Sequence, residues 1–122
     1  MKILTSKATG IILDWAVTKA LGTEIGEPEN STFDEEEFAL VHSEGDFNWS
    51  TEWAQGGPII EEEEIEVGRY WNRAPADPAA WKAQRGAQVS HQFVPTPLIA
   101  AMRCYVTSKL GAELHFPQEL LR

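Results

Sequence analysis

Apolar residues near the start of the chain recur at intervals of three and four, the spacing of one helix face: Leu13, Ala16, Val17, Ala20 and Leu21. We therefore predict a helix from Ala8 to Leu21, ended by Gly22 in the left-handed conformation. Trp15 falls almost opposite this apolar face, where a simple amphipathic helix has polar groups. We expect Trp15 to be covered by a nearby loop, by a second subunit or by a ligand.

The clearest helix signals lie near the other end of the chain. Thr96 is a capping residue, Pro97 suits the first helical position, and Gly111 suits the position after the last turn. We predict a helix between Thr96 and Gly111. Its large apolar residues form a broad arc, and small residues cover much of the opposite side: Leu98, Ile99, Met102, Tyr105, Val106 and Leu110, then Ala100, Ala101, Cys104 and Ser108. Small side chains permit close approach, so we expect this helix to be packed on both sides.

Alternating apolar positions between these helices predict short strands over 37–42, 65–71 and 89–94. Gly68 is expected to form a bulge in the second strand, and the third is expected at a sheet edge. Leu114 and Phe116 indicate a terminal strand, followed by a last turn over 118–121.

The remaining stretches predict loops and further helical segments. Residues 23–34 read as a surface loop, and 74–87 as an irregular insertion with a short helical turn through Trp81. A helix is expected over 58–64. Together these elements predict one α+β domain over 1–122: a small, mainly antiparallel sheet of three to four short strands packed with two to three helices, resembling an α/β/α sandwich.

The segment 50–60 combines helix-start signals, an aromatic residue and two adjacent glycines. Ser50 and Thr51 suit a helix cap, while Pro58 offers a second start after Gly57. If the helix begins at Thr51, Pro58 lies inside it and must kink it. Two glycines beside Trp53 leave room either for close packing of another part of the chain or for a ligand.

Charge and composition limit the classes of function. Nineteen acidic residues against ten basic ones give a net charge of −9, which disfavours nonspecific binding to duplex nucleic acid. The acidic runs at 34–37 and 61–64 are interpreted as solvated surface. No apolar run is long enough for a membrane span or a secretory signal, so we expect a protein of the cytoplasm. The single cysteine, Cys104, excludes an internal disulfide.

The residues expected of an enzyme do not form a recognisable pattern. His42, His91 and His115 lack a partner at metal-ligand spacing, and neither a phosphate-binding loop nor a dinucleotide motif occurs. We therefore expect no metal and no cofactor, and favour binding over catalysis. Tryptophan faces, arginines and the helix starts at Thr51 and Thr96 suit a nucleotide-like molecule. The alternative is that the tryptophans are core and the arginines solvated.

Three blocks of sequence resemble the NinX family of small phage proteins: 13–17 (LDWAV), 50–60 (STEWAQGGPII), and 96–103 (TPLIAAMR) with 109–111 (KLG). They follow the family's order and spacing, and the resemblance runs from Thr5 to Leu120. It implies an accessory protein of a temperate phage or prophage, acting in the host cytoplasm, and it implies no mechanism. The acidic run at 34–37 and the insertion at 74–87 depart from the pattern.

Two functions of different class follow as hypotheses. The first is a module that sequesters a small nucleotide-type host molecule, using Trp53, the glycine pair and a nearby arginine. The second is a factor that blocks a host or phage protein through its acidic surface, with Trp15 as anchor. An enzyme acting on a nucleotide, with Asp14 or Glu52 as base, ranks last.

An outward Trp15 also favours a homodimer. The candidate ligand- or partner-binding residues are Asp14, Trp15, Ser50, Thr51, Trp53, Gln55, Gly56, Gly57, Arg73, Thr96 and Arg103.

Overall fold

The structure is a computed structural model, which describes residues 1–24, 38, 42–69, 81–86, 88–94 and 96–117. Its helices and strands follow one another along the chain as β1 (Lys2–Leu4), a 3-10 turn (Thr5–Lys7), α1 (Gly10–Glu24), α2 (Trp53–Glu62), β2 (Glu66–Arg69), β3 (Trp81–Arg85), β4 (Gln88–Val94), α3 (Pro97–Leu110) and β5 (Glu113–His115).

The helix α3 is the centre of the fold. The Thr96 hydroxyl accepts a hydrogen bond from the Ile99 N–H at 3.1 Å, Pro97 occupies the first turn, and Gly111 ends the helix with a φ of 91°. Every residue from Ala100 to Val106 is buried. The helix contacts all three strands β2, β3 and β4 and also contacts α1 and α2. Both the predicted boundaries and the predicted packing on two sides are confirmed.

The strands form two antiparallel sheets. One has the order β2-β3-β4, with β4 at an edge as predicted, and the other pairs β1 with β5. In the second sheet Ile3 lies opposite Leu114, and the Phe116 N–H donates to the Met1 carbonyl at 2.8 Å. The two ends of the described chain are thus joined, and the predicted α+β class is confirmed. The strand β1 was not predicted, because its three residues are too few to show a period.

The apolar face predicted for α1 is confirmed, since Leu13, Ala16, Val17 and Ala20 are fully buried. The predicted stop at Gly22 is wrong, because α1 continues to Glu24. Gly22 does not adopt a positive φ. A glycine permits the left-handed conformation but does not impose it.

Trp15 does not lie on the outside of α1. Only 3% of the residue is exposed, its ring meets the Phe116 ring edge-on at 5.4 Å, and the Lys19 ammonium lies 5.2 Å from the ring centroid. The segment after β5 covers it, which agrees with the first of the three expectations for this residue. An exposed Trp15 anchor is therefore wrong, and the argument for a homodimer loses its support.

Three predictions of local structure are also wrong. Phe38 and His42, placed in a strand, are helical in the structure. Residues four apart share a face in a strand and in a helix, so the spacing of these two residues was ambiguous. In the structure their rings stack at 5.3 Å. Trp81 pairs with Arg69 in β3 and is not in a helical turn. Gly68 pairs regularly with Lys82, and the irregularity lies instead between Trp81 and Ala83.

Within the described part of the chain, no helix has the length and apolar character needed to cross a lipid bilayer. Of the loop predicted over 23–34, residues 23 and 24 are instead the end of α1, because the helix passes Gly22. Residues 25–34 and the predicted turn over 118–121 lie outside the described residues.

Candidate functional site

Asp14 fastens the segment that precedes α2 to the side of α1. Its carboxylate is buried, with the residue 1% exposed. One oxygen, Oδ1, accepts from the Ser50 N–H at 2.8 Å, and Oδ2 lies 2.9 Å from His42 Nε2. The two contacts hold both ends of the segment 42–50. Loss of the carboxylate would leave the buried Ser50 N–H without its acceptor, so Asp14 has a structural role here.

A row of stacked rings supports the same segment. The ring of Phe38 stacks between His42, at 5.3 Å, and Phe47, at 6.1 Å, and Phe47 stacks in turn on Trp49 at 5.7 Å. The Trp49 indole N–H donates to the Thr18 hydroxyl at 2.9 Å. The segment 42–50 is thus attached to α1 at Thr18 as well as at Asp14, and the Trp49 ring is held by a hydrogen bond and a stacking contact.

Gln55 and Gly56 attach the first turn of α2 to that segment. The Gln55 amide accepts from the Asn48 N–H at 2.6 Å and donates to the Gly45 carbonyl at 2.8 Å. A Cβ on Gly56 would overlap the Trp49 carbonyl oxygen and would lie 2.8 Å from a methyl group of Leu98 on α3. Gly56 is therefore required for close packing.

The start of α2 differs from both starts that the sequence suggested. The helix begins at Trp53, and Glu52 precedes it without a side-chain cap. The N–H groups of Thr51 and Glu52 both donate to the Asn48 carbonyl, at 3.2 and 2.9 Å. Ser50 and Thr51 therefore belong to a turn and not to a cap. Pro58 lies inside the helix, as the longer alternative required, so the start at Pro58 is wrong.

Trp53 and Gly57 form an open face on this helix. Trp53 is 54% exposed, the largest exposed fraction of any large apolar residue described. A Cβ on Gly57 would meet no atom nearer than Trp53 Cε3, at 4.0 Å. The backbone N–H groups of Trp53 and Ala54 have no hydrogen-bond partner among the described residues. These unbonded donors carry the positive end of the helix dipole.

A small pocket lies along a different face of α2. It has a volume of about 260 Å³ and opens to solvent. Its lining comprises Leu21, Trp49, Gln55, Pro58, Ile59, Glu62 and Glu63. The Glu63 carboxylate is paired with the Arg85 guanidinium at 2.5 Å, whereas Glu62 is exposed. The pocket thus combines an apolar wall with a carboxylate at its rim.

The other residues predicted to bind a ligand do not join Trp53 in a common site among the described residues. The Thr96 hydroxyl caps α3. Arg103 is 6% exposed, and its Nε donates to the Ala8 carbonyl at 2.9 Å, which ties α3 to the residues before α1. Burial lowers the pKa of the Arg103 guanidinium from its ordinary value. Arg73 lies outside the described residues.

Cys104 is fully buried in α3. Burial raises the pKa of its thiol, and the backbone N–H and charge of Arg85 oppose that rise. A buried thiol with a raised pKa is a poor nucleophile, so the interpretation of Cys104 as a packing residue stands. Among the residues that the structure describes, no three His, Cys, Asp or Glu side chains group as a metal site.

Sequence reasoning missed the pairing of Asp14 with His42, because the partners are 28 residues apart and neither carries a motif. It also missed Asn48, whose backbone N–H bonds the Gln55 side chain, and Trp49, whose indole N–H donates to the Thr18 hydroxyl. The alternation of aromatic residues around Phe47 and Trp49 was the one feature of the sequence that could have indicated packing of this segment.

Comparison with known families gives a match over most of the chain. The family model described as Bacteriophage P22, NinX matches residues 5–109. No curated protein matches the chain significantly. The match includes the blocks at 13–17 and 50–60 and nearly all of α3. The chain therefore belongs to the NinX family of phage proteins.

Proposed function

We propose that this protein is a non-enzymatic phage or prophage accessory protein that binds and sequesters a small nucleotide-type molecule of the host. The single observation that carries the proposal is the exposed indole of Trp53, which stands beside Gly57 on α2. A large apolar residue with more than half of its surface in water gives the folded chain little stabilisation, so folding does not account for its exposure. A flat aromatic ligand that stacks on the ring would bury it.

The backbone around Trp53 supports a ligand with both a ring and an anionic group. Gly57 lies one helical turn further along and presents no side chain beside the ring. The free N–H groups of Trp53 and Ala54 suit a phosphate, because helix starts offer aligned donors and positive potential. A nucleobase on the indole and a phosphate at the helix start would therefore occupy neighbouring positions.

The roles of the buried residues favour binding without catalysis. Asp14, the potential base, already accepts from the Ser50 N–H and contacts His42, and it is buried. Arg103 donates within the core. We therefore assign the ligand contacts to the ring of Trp53 and to the backbone of α2.

The proposal is tested by a thermal-shift screen with nucleoside mono-, di- and triphosphates and with cyclic nucleotides and dinucleotides. At least one of these ligands should raise the melting temperature of the unaltered protein. Trp53→Phe keeps an aromatic face and should retain most of the shift. Leu4→Ala removes another exposed apolar side chain, away from α2, and should leave the shift unchanged.

The proposal fails if no nucleotide shifts the melting temperature at millimolar concentration. It also fails if Trp53→Ala retains the whole shift, because the ligand then binds elsewhere. A product formed from the nucleotide on prolonged incubation would show that the protein is an enzyme and not a sequestering module.

A further inference from the structure

We propose that the pocket between α1 and α2 receives a lysine or arginine side chain of a basic partner protein. This site lies on another face of α2 from Trp53 and does not depend on the nucleotide proposal. Residues 55, 58, 59 and 62 line it at helical spacing, whereas Trp53 and Gly57 fall on a different side of the helix.

The size of the pocket favours a single side chain over a whole ligand. Its volume of about 260 Å³ is below the roughly 300–1,000 Å³ that is usual for small-molecule sites. The walls are Leu21, Trp49, Pro58 and Ile59. Trp49 forms a fixed wall of the pocket, since its indole N–H donates to the Thr18 hydroxyl and its ring stacks on Phe47.

The rim of the pocket selects a cation. The Glu63 carboxylate is engaged by Arg85, whereas the Glu62 carboxylate forms no ion pair with any residue that the structure describes. Long basic side chains pack their methylene stems against apolar surface while the charged end meets an anion. An ammonium or guanidinium at the rim would meet the Glu62 carboxylate, and the indole of Trp49 adds attraction for a cation.

The surroundings of the pocket indicate a polypeptide and not a free amine. Exposed carboxylates follow Glu62 along the chain at Glu64 and Glu66, and the chain as a whole carries a net charge of −9. A surface of one charge extending beyond the cavity complements several basic residues in a row. The favoured occupant is thus a basic, partly apolar segment, with one side chain inserted and its neighbours over the acidic surface.

The experiment is an NMR titration of the ¹⁵N-labelled protein with an acetylated peptide of alternating lysine and leucine. We expect shifts of the Trp49 indole N–H and the Gln55 side-chain amide. Glu62→Lys should weaken binding about tenfold, because an attraction is replaced by a repulsion at the rim. Glu61→Lys is the matched control, since it makes the same change of charge one residue away and outside the pocket lining, and it should weaken binding much less than Glu62→Lys.

Several results would overturn the proposal. Equal weakening by Glu61→Lys and Glu62→Lys would mean nonspecific attraction to an acidic surface. Binding of spermidine as tight as that of the peptide would assign the pocket to a free amine. A dimer in sedimentation that Glu62→Lys dissociates would assign it to a second copy of the chain. Absence of any shift at millimolar peptide would exclude the site.

Retained nucleotide binding in Glu62→Lys would show that the pocket and the Trp53 site are independent of each other.

Discussion

The helices α2 and α3 lie against each other but are built in opposite ways. Thr96 caps α3, Pro97 occupies its first turn, and Gly111 ends it. The shorter α2 has no side-chain cap and contains Gly56, Gly57 and Pro58 in its interior. Interior glycines and prolines weaken an isolated helix. The difference shows that local sequence specifies α3, whereas contacts with the rest of the fold hold α2 in place.

Those contacts account for most of the residues in α2 that are unfavourable in an isolated helix. Gln55 bonds the segment before the helix, and Gly56 lets the Trp49 carbonyl and Leu98 approach. Gly57 precedes Pro58, where a Cβ would crowd the proline ring and disfavour the helical conformation. No contact among the described residues explains the exposure of Trp53, and this exposure is the basis of the proposed binding function.

The largest expected effect is that of Gly56→Ala. The added Cβ overlaps backbone, which cannot move aside as a flexible side chain can, so we expect a loss of about 3 kcal/mol in the free energy of unfolding. Urea denaturation measures it. A loss below about 1 kcal/mol, the cost of a mild overpacking, would mean that α2 is not seated against Trp49 and α3 as described.

Thr96→Ala should have an intermediate effect on the other helix. It removes the cap that accepts from the Ile99 N–H, at a cost of about 1 kcal/mol. Urea denaturation again gives the value, and Thr96→Ser, which keeps the hydroxyl, is the matched control. If Thr96→Ala and Thr96→Ser were equally stable, the cap would contribute nothing and α3 would depend on burial alone.

Gly57→Ala should have the smallest effect on stability, although it lies next to Gly56. The alanine gains helix propensity of roughly 0.5–1 kcal/mol, and crowding against Pro58 offsets that gain. Because these two effects nearly cancel, we expect the free energy of unfolding to change by less than about 0.5 kcal/mol. Destabilisation as large as that of Gly56→Ala would contradict the distinction between the two glycines.

The sequence predicts those parts of the fold in which the signals are local. The boundaries of α3, the core face of α1 and the edge strand β4 depend on caps and periodicity, and these were confirmed. The helical state of Phe38 and His42 was not predicted, because a spacing of four residues fits both a strand and a helix. The burial of Trp15 depends on Phe116, about a hundred residues away, which no local pattern reveals.

For the candidate site, several of the residues named from the sequence lie together in the structure, but their structural roles were not predicted. Asp14, Ser50, Gln55 and Gly56 are brought together, yet as supports that fix the start of α2. Their roles depend on backbone partners such as the Ser50 N–H and the Gly45 carbonyl. Trp53 could be named from the sequence, but its exposure could not, because exposure depends on what the other elements leave uncovered.

The most direct test of the account is to measure ligand affinity and stability together in Trp53→Ala. Calorimetry with the nucleotide selected by the thermal-shift screen should show the dissociation constant rising about tenfold or more, as expected for a lost base–aromatic stack. The free energy of unfolding should fall by less than about 1 kcal/mol, because the side chain is already half in water. An unchanged dissociation constant, or a protein that unfolds as readily as Gly56→Ala, would contradict the assignment of Trp53 to binding.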